Sequence, residues 1–198
     1  MESNFEQLMS SVCIKLKKNN TEIHPKFWGD YQYNSVEIIA PGLKEIPRDL
    51  GRCQQLTYLS IQAPDLDFIP REALELPYLE VLKINNTKLT QIPIQPHKLP
   101  RLKKLFLKNN QIDIIPEDWA DLNMLEEIDL SFNRLTDLPL SFCYHNNICR
   151  VILDNNQFEK VPVCLTRLDQ LAHLSLDNNY LTESEQQLAW DIFGIQIS

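Results

Sequence analysis

The sequence predicts an α/β repeat solenoid, curved into a horseshoe with a parallel sheet along its concave side and a helical cap at each end. Three observations predict it. Pro47, Pro70, Pro93, Pro116, Pro139 and Pro162 stand 23 residues apart, each after an aliphatic residue. Fourteen residues before each proline a run of the form LxxLxLxxNxLxxIP begins, as in LKKLFLKNNQIDIIP and LEEIDLSFNRLTDLP. Asparagine then recurs at the ninth position of that run, as Asn110, Asn133, Asn156 and Asn179. A fixed period of this length marks stacked units, each burying the apolar face of its neighbour.

The elements follow in chain order. Residues 1–32 read as an N-terminal helical cap and a degenerate half repeat. Phe5, Leu8, Met9, Val12 and Leu16 follow helical spacing, and Ile23 and Phe27 fall where positions 14 and 18 of a preceding repeat belong. Residues 33–181 hold seven repeats, beginning at Tyr33, Leu56, Leu79, Leu102, Leu125, Ile148 and Leu171. In each, positions 4 and 6 alternate with 3, 5 and 7, as in a short strand with one buried face. Asparagine at position 9 is placed to satisfy backbone groups left open where the chain turns off the strand. Positions 18 and 21 return apolar side chains to the core, among them Leu50 and Cys53, Trp119 and Leu122, and Leu165 and Leu168.

Five departures predict irregular coils. Position 9 is Pro41, Pro64 and Thr87 in the first three repeats, outside the asparagine ladder. Pro96 stands at position 18 of the third, and His145 at position 21 of the fifth, where residues 141–147 are expected to bulge. Residues 182–198 form the C-terminal cap. Thr182 and Glu185 make a capping box that opens a helix through about Phe193, with Leu188, Ala189, Ile192 and Phe193 on its inner face. Ile195 and Ile197 alternate as a closing strand would.

The pattern resembles the leucine-rich-repeat family in its 23-residue intracellular type, with IPxxLxxLxxL following the strand. The resemblance runs from Tyr33 to Leu181. It implies a protein-binding role of the kind seen in adaptors, in inhibitors that occlude nucleases, and in bacterial effectors or their regulators.

Composition narrows the functional classes. A net charge of −8 argues against a general nucleic-acid binder, which needs clustered Lys and Arg. Four glycines among 198 residues leave no glycine-rich phosphate loop. No stretch reaches the roughly 18 consecutive apolar residues of a membrane span, and the first twenty residues do not read as a signal peptide. Five cysteines without CxxC spacing read as reduced thiols, so the cytoplasm is the expected setting, a host cytosol if the chain is a bacterial effector.

No constellation for catalysis, cofactor or metal emerges. Asp113, Glu117 and Asp118 lack calcium-loop spacing. The one pair bearing on an enzymatic alternative is Cys143 with His145, on the convex side. A purely structural or oligomerising solenoid is the other alternative. The leading expectation is a non-catalytic module, monomeric when unbound, whose concave face takes another protein. Positions 3, 5, 7 and 8 face that side. They supply an apolar group of Tyr58, Val81, Phe106, Phe132 and Ile152. Around it, Lys83, Lys104 and Lys108 precede Glu127, Asp129 and Asp154, with Arg150 among the acids, so the face is expected to be bipolar.

Overall fold

The computed structural model describes residues 10–15, 22–23 and 33–197. Among them eight strands form one open, curved, parallel sheet in chain order. They are β1 (Ser10–Lys15), β2 (Tyr33–Ile39), β3 (Tyr58–Gln62), β4 (Val81–Asn85), β5 (Lys104–Phe106), β6 (Glu127–Asp129), β7 (Arg150–Ile152) and β8 (His173–Ser175). The register is the 23-residue one: Val36, Leu59, Leu82, Leu105, Ile128, Val151 and Leu174 lie in one row, all buried. Leu43, Ile46, Leu50 and Cys53 of the first repeat close the same core from the convex side.

Convex segments are short 3-10 helices, at Arg48–Arg52, Arg71–Leu74, Glu117–Asp121, Leu140–Tyr144 and Val163–Arg167. Each starts directly after the periodic proline, whose fixed φ near −62° suits a helix entry. Gly51 lets the first two coils nest, because a Cβ there would lie 1.8 Å from the Glu72 carbonyl oxygen. The third coil differs, as Pro96 predicts. Its chain stays extended through Gln95, the helix is delayed to Pro96–Lys98, and a groove of about 640 Å³ lies alongside, lined by Phe68, Arg71, Gln91 and Gln95 among others.

The asparagine ladder forms as expected. Asn133 donates from Nδ2 to the carbonyls of Leu107 and Leu130, both at 2.9 Å, and its Oδ1 accepts the Ile112 N–H at 3.0 Å. Asn156 and Asn179 repeat the arrangement one and two coils on. Thr87 corrects the expectation that the third repeat stands outside. Its hydroxyl donates to Asn110 Oδ1, so the ladder ends on a threonine. Pro41 and Pro64 do stand outside, and there the strands run longer. β2, β3 and β4 hold seven, five and five residues, against three in each of β5 to β8. The residue before a proline avoids the helical region, and Ala40 and Ala63 do not take the left-handed conformation that Asn86 takes after β4.

Further expectations are corrected. Ser10–Lys15 is a strand, not part of a helical cap, and it pairs with β2 at an offset of 24 residues after a shift at Ser10 and Ser11. Val12 lies in that strand; Phe5, Leu8, Met9, Leu16 and Phe27 lie outside the described residues, while Ile23 is buried as expected. Residues 141–147 do not bulge. The helix Leu140–Tyr144 matches its neighbours, and His145 is 3% exposed in the place that Leu122 and Leu168 fill elsewhere. A small, flat ring of leucine-like volume fits that place without moving the backbone.

At the C-terminus, α1 (Glu183–Phe193) begins on Thr182, whose hydroxyl accepts the Glu185 N–H, and stops at Gly194 with φ 65°. Glu185 does not complete the box. Its carboxylate accepts the Val161 N–H at 2.9 Å and pins the cap to the preceding coil. Ala189 and Phe193 face the core, but Leu188 and Ile192 are largely exposed. Ile195 and Ile197 pack on the core without forming the closing strand.

Candidate binding surface

Strand alternation sends positions 4 and 6 of each repeat inward and leaves 3 and 5 on the opposite, concave face. Two rows cross that face in register. One runs Tyr58, Val81, Lys104, Glu127, Arg150, His173; the other runs Ser60, Lys83, Phe106, Asp129, Ile152, Ser175. The expected apolar residues are therefore brought together, Phe106 and Ile152 with only Asp129 between them. Tyr58, Val81, Phe106 and Ile152 are half-buried by their neighbours, whereas Phe132 and Lys108 are exposed.

The lysines and the rings form two groups. Lys83 Nζ lies 5.5 Å from the centroid of Tyr58 and 5.1 Å from that of Phe106. Lys108 Nζ lies 5.1 Å from the centroid of Phe132. Ammonium groups over aromatic faces are held by the ring quadrupole without losing their charge.

The carboxylates are engaged differently, and this modifies the expected bipolar face. Glu127 pairs with Lys104 at 2.7 Å, and this hydrogen bond, with the charges of Glu127 and Glu126, pushes the Lys104 pKa up. Asp129 Oδ1 accepts the backbone N–H (2.9 Å) and hydroxyl (2.6 Å) of Ser131. Asp154 Oδ1 accepts the Asp177 N–H at 2.9 Å and the Ser175 hydroxyl. Asp129 and Asp154 thus hold the turn and the next coil in place. Arg150 has no side-chain partner among the described residues, and neither Lys83 nor Lys108 meets a carboxylate.

Phe132 stands out by its backbone. Position 8 takes a left-handed conformation in five coils, and in four it is an asparagine: Asn86, Asn109, Asn155 and Asn178. Phe132 adopts φ 58° there with 44% of its surface exposed. An aromatic residue is strained in this region by roughly 1 kcal/mol, which asparagine relieves through its short polar side chain. Phe132→Asn is therefore expected to raise the unfolding free energy by about 1 kcal/mol in urea denaturation. A stability equal to or below wild type would show that the ring is held by packing, not exposed at a cost. The sequence signal was the break in a column of asparagines; the strain itself appears only in the backbone.

The convex alternative does not assemble. His145 is buried against Phe142, with ring centroids 4.9 Å apart, and no hydrogen bond joins it to Cys143 among the described residues. Desolvation pushes its pKa down to about 4, the Leu122 backbone opposing in part, so the imidazole is a weak base. Burial also pushes the thiols of Cys53 and Cys164 up to about 11 and about 12. Among the described residues no group of three or more His, Cys, Asp or Glu is placed to hold a metal, and no helix is long and apolar enough to cross a membrane.

Comparison with known proteins agrees with this architecture. A family model described as leucine rich repeat matches residues 54–112 and 93–135. A leucine-rich-repeat protein of Leptospira interrogans superposes with a TM-score of 0.60 at 21% identity, over 90% of this chain and 57% of that one. Two structures of the Toll–Spatzle complex, described as a hub in Drosophila development and innate immunity, also match. The glycosylated form gives a TM-score of 0.68 at 25% identity over 75% of this chain, the other 0.65 at 22% over 84%. The chain spans 21% and 22% of the lengths of those two. No curated protein matches the sequence significantly.

Proposed function

We propose, from the premise that this chain belongs to the leucine-rich-repeat family, that it is a non-catalytic protein-binding module whose partner docks on the concave face across β4 to β7. Proteins of this family typically mediate protein–protein interaction, and two of the structures matched are of a complex between proteins. The observation that carries the reading is Phe132, an aromatic ring kept exposed and strained where the other coils use asparagine. Backbone strain held at an exposed aromatic residue is characteristic of sites that contact a partner. Tyr58, Phe106 and Ile152 extend the same surface, and aromatic anchors dominate the energetics of protein interfaces.

The effect of such a module comes from occupancy, as an inhibitor covering a partner's working surface or as an adaptor joining two partners. Its free thiols suit a reducing compartment such as the cytoplasm. The test is capture of partners on the immobilised full chain, compared with Phe106→Asp. That variant is expected to lose the partner by at least 2 kcal/mol of binding free energy, while its melting temperature stays within a few degrees. Retention of every captured protein by Phe106→Asp would move the interface off this face.

A further inference from the structure

The charges on the concave face divide by what already engages them. Lys104 is placed between Glu126 and Glu127 and bonded to the latter. Asp129 and Asp154 each take an N–H and a hydroxyl from their own chain. Lys83 and Lys108 lie over aromatic rings and, like Arg150, form no ion pair among the described residues. Asp129 and Asp154 keep their negative charge with one oxygen occupied, whereas these three cations have no ion pair among the described residues.

On the reading of the concave face as the docking site, we propose that the partner's docking segment is acidic. It is a stretch of protein whose carboxylates meet Lys83, Lys108 and Arg150 while an apolar side chain settles among Phe106, Phe132 and Ile152. The spacing suits such an occupant. Lys83 on β4 and Arg150 on β7 are three strands apart, about 14 Å at ordinary strand separation, which about four extended residues span. Phe106 on β5 lies between them, and Ile152, in the row of Lys83 and Phe106, shares β7 with Arg150. Lys83 and Lys108 rest over rings that a docked segment would dry, and an ammonium so placed strengthens its attraction for a carboxylate as water leaves. Arg150 offers a planar fork matched to a carboxylate. A basic segment would instead meet three unneutralised cations, with the nearest carboxylates already engaged.

The experiment is selection of random dodecapeptides displayed on phage against the immobilised full chain. Enriched peptides are expected to be rich in Asp and Glu around an aromatic or aliphatic residue. Their affinity should fall about tenfold or more as salt rises from about 0.1 to 0.5 M. It should be lost both in Phe106→Asp and in the triple variant Lys83→Glu, Lys108→Glu, Arg150→Glu. The corresponding triple methionine variant, close in volume, guards against misfolding and should weaken binding while keeping the circular dichroism spectrum. Neutral or basic peptides that are lost in Phe106→Asp would overturn the acidic assignment and leave the concave reading standing. Peptides that bind Phe106→Asp and the triple variants as well as wild type would overturn both. Failure to enrich any sequence would also overturn the proposal.

Discussion

Lowering the pH from 6.5 to 4 is expected to remove about 3 kcal/mol of folding stability through one side chain, His145. The unfolded imidazole takes up its proton near the ordinary 6.5, whereas the folded one, desolvated against Phe142, resists until about 4. The neutral ring therefore stabilises the fold fully above pH 6.5, and that contribution is lost as the pH falls toward 4. His145→Leu tests this, because Leu122 and Leu168 fill the equivalent places in adjacent coils. The variant should match wild type near neutrality and lose less stability on acidification, read as the difference between their urea midpoints at each pH. Parallel pH profiles for the two proteins would remove His145 from the acid response.

Asn133→Ala is expected to lower the unfolding free energy by about 3 kcal/mol. The Ile112 N–H would lose its acceptor inside the solenoid, and the carbonyls of Leu107 and Leu130 would each lose one donor. Both carbonyls keep a second amide, from Asn110 and Asn156, so the largest part of the loss falls on the buried N–H. Asn133→Asp should be worse, since a carboxylate would point at two carbonyl oxygens. Chemical denaturation measures both. A loss below about 1 kcal/mol for the alanine variant would mean that water replaces the amide and that the ladder contributes little.

Much of this architecture was legible because the period ties residues far apart in sequence to one row of the sheet. Val36 through Leu174 could be aligned by counting, and the N-cap at Thr182 is a local signal that needs no tertiary context. The first strand was not legible. Val12 and Ile14 alternate over too few residues to outweigh the helical spacing that leads into them, and their offset from the next coil is one residue too long. His145 misled because sequence ranks histidine as polar, whereas the fold uses it as a neutral ring. The concave residues were identified by position alone, so their row was correct and their state was not. Whether Asp129 and Asp154 are open to a partner depends on Ser131, Ser175 and the Asp177 backbone, whose approach follows from the turns.

The rungs between residues 23 apart also constrain how such a chain changes over generations. Where the asparagines interlock, adding or deleting one residue in a coil shifts every later rung out of reach, so length can change there only by a whole coil at a time. Ahead of Pro41, where the described residues show no asparagine rung, the sheet already accommodates an offset one residue longer. Small insertions are thus confined to the beginning of the molecule, and the part that carries the binding surface grows or shrinks in units.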